Sequence, residues 1–399
     1  MTLDAVVEDG AVSSQLVPTC RVERLRLHHF RNYSETTIHF GPRLNVISGR
    51  NAQGKTNLLE AVATLALTRS PRTSGSADLL QWGSDRCLAE AAVARPTRAS
   101  VLTLRLERDP QTERLARTVS VDGKPRPARE ILGLCPVVLF WPEDLLLVKG
   151  GPDGRRRLLD VLLAQLDHRA AAHLIRYRHV LEQRNALLHQ LRLGGGGRDE
   201  LPSFTRELAQ HGAAVVVARA LLVSDLTPLA ATALYGLSDR REQLTLRYAP
   251  SHDPSMPTDA SAEDVESSLL AALDARAAEE IARGVTVVGP HRDDIDIELD
   301  GRPARTTASQ GQQRSIVLAC KLAEVSHLQA TSGVAPVILL DDVLSELDPG
   351  RRTMLFQMLA ADAPHQIIVT TTAEREDTSA FTDVRYFTVR AGSVQESRA

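Results

Sequence analysis

Residues 49–56 read Gly-Arg-Asn-Ala-Gln-Gly-Lys-Thr, the full G-x-x-x-x-G-K-[ST] spacing of a phosphate-binding loop. A loop of this kind points backbone N–H groups and the positive end of the next helix at one spot, which suits a polyphosphate. Gly49, Arg50, Asn51, Ala52, Gln53 and Gly54 form the cradle. Lys55 is the side chain that reaches the β- and γ-phosphates, and the Thr56 hydroxyl is a ligand for Mg²⁺. This pattern predicts an ATP-type nucleotide with Mg²⁺ as its cofactor.

A second set of residues stands far along the chain. Pro336–Leu340 is apolar without interruption and ends in Asp341-Asp342. A buried parallel strand requires such a run, and its carboxyl end is where α/β sheets put their ligands. Asp341 suits Mg²⁺, and Asp342 suits the orientation or activation of an attacking water. Upstream, Ser309, Gln310, Gly311 and Gln312 precede an apolar helix, so their N–H groups can meet a phosphate. An ordinary N-cap and turn would use the same residues. Their distance before the acidic strand matches the signature loop of ATP-binding-cassette ATPases, in which one subunit closes over the γ-phosphate held by the other.

Leu44–Ile47 reads as the buried strand that delivers the loop, and Leu58, Leu59, Val62 and Leu65 give the helix after it. Val22–Leu27 and Thr36–Phe40 alternate as strands, and Asp122-Gly123 marks a hairpin turn. From Arg155 to about Ser238 the texture becomes helical, with helices expected over 155–166, 169–192 and 202–237 and a further one over 264–283. The expected fold is α/β: a discontinuous P-loop ATPase head over residues 20–150 and 285–399, with a mainly helical lobe inserted at 151–284. Residues 1–19 read as a disordered leader.

Apolar content of 43%, charge of 24% and a net charge of −3 over 399 residues are ordinary for a globular chain, so any nucleic-acid binding needs a local basic patch. Cys20, Cys87, Cys135 and Cys320 are far apart and form no C-x-x-C pair, which argues against zinc and a disulfide framework and fits a reducing cytoplasm. No membrane association is expected.

At this point the chain resembles the RecF family of ABC- and SMC-like ATPases. The likeness rests on Leu27–Tyr33, Gly49–Ala61, Arg69–Thr73, Phe140–Asp160, Gly289–Asp294, Ser309–Glu324 and Leu339–Asp348 taken together. It implies an ATP-dependent homodimer that binds duplex DNA near single-strand gaps and acts with RecO and RecR to load RecA. It also implies a weak, DNA-stimulated ATPase used as a switch. Thr370-Thr371-Thr372 fall where such ATPases keep a switch residue. Ala52 replaces a glycine often found in this loop.

For DNA, the arginines of the helical lobe are the candidates: Arg155, Arg156, Arg157, Arg176, Arg178 and Arg184. A solvated helix face or internal ion pairs would explain each one singly. Arg72 and His291-Arg292 fit the nucleotide or a dimer interface better, and His291 also fits a structural role. A transport-coupled ATPase subunit is the rival reading, disfavoured by the long insertion and by the lack of a histidine after Val369.

Overall fold

A computed structural model describes residues 17–73, 75–238, 241–361, 364–373 and 377–397, with the side chain of Glu346 left out. Its centre is a six-stranded sheet in the order Ser393–Ser397, Val384–Arg390, Leu44–Ser48, Ile367–Thr371, Val337–Asp341, Val137–Phe140. The last five strands run parallel to one another, and Ser393–Ser397 pairs antiparallel with Val384–Arg390. Side chains of a strand alternate faces, and both faces here are covered. Val337 and Leu339 therefore join one core with the helix Lys55–Leu67, while Ile338 and Leu340 join another with the inserted helices. That is why the run before Asp341 is apolar throughout.

The helix Lys55–Leu67 is buried nearly all round, because an antiparallel sheet covers its other side. That sheet follows the order Tyr33–His39, Arg21–Phe30, Arg86–Ala94, Ser100–Arg108, Leu115–Val121, Lys124–Pro125. Its last turn has Asp122 and Gly123 at φ 51° and 76°, the double left-handed pair that a two-residue hairpin needs.

The expected helices appear as Pro152–Leu166, His168–Arg192, Leu201–Leu237 and Ala262–Arg283. Leu201–Leu237 is apolar and long enough to cross a membrane by composition, but it packs as a core helix against Gln310–Ser332. The helical lobe also carries a three-stranded sheet. In it Leu244–Ala249 pairs with Asp294–Leu299, which lies beyond residue 284, so the lobe's contacts run past the boundary read from the sequence.

The expected leader falls largely outside the described residues. Its last residues differ from the expectation: Pro18 O accepts from Ala335 N at 2.8 Å, and Thr19 bridges Ala335. All four cysteines are free thiols, and Cys20, Cys87 and Cys135 are buried.

Candidate nucleotide site

Leu44–Ser48 lies between two parallel strands, so the chain leaves the sheet at Ser48 in the middle of its edge. Gly49 and Gly54 sit at φ 155° and 111°, and a Cβ on them would meet Val389 O at 2.6 Å and Asn32 Nδ2 at 2.4 Å. Both terminal glycines are thus required by backbone shape and by close neighbours. Ala52 also adopts a left-handed φ of 62°, the conformation that a glycine would take without strain. Lys55 Nζ donates to Gly49 O at 2.7 Å and Arg50 O at 3.1 Å. Burial lowers the Lys55 pKa, and the charges of Asp342 and then Asp341 oppose that shift.

Across the sheet edge, Asp341 is buried and its Oδ1 accepts from Thr56 Oγ1 at 2.9 Å and from Thr370 Oγ1 at 2.7 Å. Thr370 Oγ1 in turn accepts from the N–H of Asp342 at 2.9 Å. Asp342 has a left-handed φ of 51°, which turns its side chain away from the strand direction. Its Oδ1 is buried and has no hydrogen-bond partner among the described residues. Burial raises the Asp341 pKa, and the two threonine hydroxyls pull it back. Of the three threonines, Thr370 therefore holds the acids, Thr371 Oγ1 accepts from Ala373 N at 3.0 Å, and Thr372 is exposed.

Ser309 caps the helix Gln310–Ser332 in a reciprocal box: its hydroxyl accepts from Gln312 N, and Gln312 Oε1 accepts from Ser309 N at 2.7 Å. Gly311 lies against Arg351, and Gln312 Nε2 donates to Glu242 at 2.9 Å. Among the described residues no hydrogen bond joins Ser309–Gln312 to Gly49–Thr56.

A buttress beneath the loop was not anticipated from the sequence as a set of contacts. Glu60, fully buried in the loop helix, accepts from Arg31 at 2.6 and 2.9 Å, Ser70 at 2.6 Å and Arg72 at 3.2 Å. Asn32 Nδ2 donates to Gln53 O at 3.0 Å, and the Tyr33 hydroxyl donates to Gly54 O at 2.9 Å. The one available signal was an acid in the apolar run Leu58-Leu59-Glu60-Ala61, since a buried carboxylate must have partners.

The RecF/RecN/SMC N-terminal domain model matches residues 21–395. The DNA replication and repair protein RecF of Symbiobacterium thermophilum is 42% identical over 93% of this chain and 96% of its own length. The chain belongs to the RecF family. RecF of Beutenbergia cavernae is 38% identical over 88% of this chain and 93% of its own length. The solved structure of the recombination mediator protein RecF-ATPrS in the RecFOR pathway matches with TM-score 0.85 at 29% identity, over 95% of this chain and 98% of that one. The Smc head domain from Pyrococcus furiosus matches with TM-score 0.55 at 15% identity over 95% of this chain and 96% of that one, a likeness of fold alone.

For this RecF-family chain the arginine candidates separate into two groups. Arg155 and Arg184 are buried and correct the expectation. Arg155 grips Asp294 at 2.6 and 2.9 Å; Arg184 holds Glu280 at 2.6 Å and Thr286 at 2.8 Å. Neither guanidinium reaches solvent: Arg184 compensates the buried Glu280, and Arg155 points outward only as far as the half-buried Asp294. Arg176, Arg157 and Arg178 are exposed, and Arg156 is half-buried. His291 is structural: Nε2 donates to Thr286 O at 3.1 Å, so Nδ1 accepts from the Tyr177 hydroxyl at 2.6 Å. Burial drops its pKa to about 4, and it is neutral at physiological pH.

Proposed function

We propose that this chain is an ATP-driven DNA-binding switch of replication and recombinational repair that closes as a dimer. The reading rests most on the cluster of Thr56, Asp341 and Thr370 beside the unpartnered Asp342 Oδ1. Hard oxygens gathered at the end of a parallel strand next to a phosphate loop fit Mg²⁺, with Thr56 and Asp341 holding it. Bound there, Mg²⁺ would supply neutralisation of charge on the β- and γ-phosphates.

The chain's own groups do the rest. Gly49, Arg50, Asn51, Ala52, Gln53 and Gly54 surround the phosphates with N–H donors. Lys55 exchanges its two loop carbonyls for phosphate oxygens. Asp342 orients the attacking water, and Thr370 keeps both acids in register. Ser309, Gln310, Gly311 and Gln312 of a second copy present a helix N-terminus to the γ-phosphate. The Ser309 hydroxyl only accepts in the cap, so its O–H remains to donate beside those backbone N–H groups.

The dimer binds duplex DNA beside single-strand gaps without reading sequence, acts with RecO and RecR, and assists RecA loading, so supporting replication, repair and the SOS response. Hydrolysis is slow and DNA-stimulated. Named RecF relatives and the RecF-ATPrS neighbour support this reading.

Sedimentation velocity on labelled gapped duplex, with ATP, ADP or no nucleotide, tests it. An ATP-only DNA-bound dimer that is lost in Lys55→Met is expected. Absence of DNA binding in every state would overturn the reading.

A further inference from the structure

Beside the loop helix, between Arg69–Thr73 and the helices Pro152–Leu166 and His168–Arg192, lies an open cleft of about 540 Å³. Arg69, Arg72, Arg156, Arg157, Arg178 and Arg219 line it, against two acids. Those acids are already engaged. Asp160 accepts from Arg219 at 2.7 and 2.9 Å and from Arg178 at 2.9 Å, and the exposed Asp153 pairs with Arg156. Arg72 shares Glu60 with Arg31.

Two charges make no contact ion pair among the described residues, although Asp160 attracts Arg69 and Asp144 attracts Arg157. Arg157 donates to the backbone carbonyls of Ser70 and Pro71 and makes no ion pair among the described residues. Arg69 donates to no acceptor among the described residues, although it lies close enough to Arg178 and Arg157 to feel both charges. Burial, then the like charges of Arg178 and Arg157, lower its pKa, and the charge of Asp160 opposes that shift. Gathering guanidinium groups in this way is unfavourable, and an anion arriving from outside would relieve the repulsion that Asp160 and Asp144 offset in part.

We propose that this cleft seats backbone phosphates of a nucleic-acid strand, with Arg69, Arg157 and Arg178 as the contacting forks. Guanidinium forks match phosphate oxygens in pairs. Arg69, Arg157 and Arg178 line the cleft and are all exposed, which suits a strand passing over it more than a small enclosed ion. The proposal rests on the DNA-binding reading above and names the surface that performs it.

The test is the salt dependence of binding to a labelled duplex in ATP, read by anisotropy, for the full chain. Each removed phosphate contact lowers the slope of log K against log salt by about 0.9. Arg69→Gln and Arg157→Gln are each expected to lower it by about that much, and the double variant by about 1.8. Arg98→Gln, in an exposed pair with Asp122 on the antiparallel sheet, is expected to leave it unchanged. Arg69 has no internal acceptor to lose, so Arg69→Gln is expected to melt like the parent.

A parent that binds DNA while the double variant keeps its slope overturns this proposal alone. A parent that binds no DNA in any nucleotide state overturns the function reading and takes this proposal with it. If, with the phosphate loop disabled by Lys55→Met in both proteins, pyrophosphate raises the melting temperature with Arg69 and Arg157 present but not in the double variant, while the DNA slopes agree, the cleft is a free-anion site and the proposal fails.

Discussion

Thr370→Val isolates the clamp that joins the two acids. The substitution keeps shape and β-branching in a fully buried strand position, so no cavity opens. It removes the 2.7 Å donation to Asp341 Oδ1 and the 2.9 Å acceptor for the N–H of Asp342. A hydrogen bond to a charged group contributes about 1.5–3 kcal/mol, and a buried N–H left without a partner costs about 1–3 kcal/mol. These losses share one site and do not add in full, so a destabilisation of about 3 kcal/mol is expected. Thr370→Ser keeps the hydroxyl and loses one methyl, which costs about 1 kcal/mol.

Urea unfolding of the three proteins at constant m-value reads the difference, and pH adds a second arm. Asp341 has a raised folded pKa, so its contribution is present below the unfolded value and lost as pH rises through the folded one. Without the Thr370 hydroxyl the folded pKa rises further. The gap between the Val and Ser variants is therefore widest at neutral pH and narrows as Asp341 becomes protonated. Equal stabilities for the two variants at neutral pH, or a gap that widens on acidification, would refute the clamp.

Arg184→Met leaves the fully buried Glu280 unpaired and is expected to cost about 3–5 kcal/mol in urea melts, with no change of DNA salt slope under conditions where the variant is folded. Gly289→Ala places a Cβ 2.7 Å from the Tyr177 hydroxyl at φ 122°, so a loss of about 2 kcal/mol or more is expected by the same assay. Glu324 is buried 2.9 Å from Lys321, and burial raises its pKa to about 7. Stability tied to it falls as pH rises from the ordinary glutamate value of 4.5 through about 7, by on the order of 3 kcal/mol. Glu324→Gln should flatten that part of the urea midpoint profile; an unchanged profile would discount the shift. In Ala52→Gly, relief of a left-handed alanine, about 1–2 kcal/mol, is offset in part by about 0.4–1 kcal/mol of added unfolded-state entropy. Its melting temperature should change by only a few degrees, upward.

The phosphate loop, the acidic strand and the capped helix were legible because each is a local pattern: backbone shape and helix ends depend on residues a few positions apart. The hairpin at Asp122-Gly123 and the long helices were legible for the same reason. Ser309 was readable as a cap, while its hydrogen bonds to Gln312 became visible only in the fold. The small sheet joining Leu244–Ala249 to Asp294–Leu299 was not legible, since neither strand carries a mark of its partner across the intervening helix.

Charge was the least legible property of all. Arg155, Arg157 and Arg178 look alike in the sequence, yet one is sunk against Asp294 while the others edge an open cleft. Which acid an arginine meets depends on packing between segments more than a hundred residues apart, as for Arg155 and Asp294. By itself the sequence determined the nucleotide loop, the acidic strand and the family likeness, because those follow from local spacing. Tertiary structure alone decided that Thr56, Asp341 and Thr370 share one carboxylate and that Glu60 gathers Arg31 and Arg72. Electrostatic partners are chosen by distance through space, and only the folded chain sets that distance.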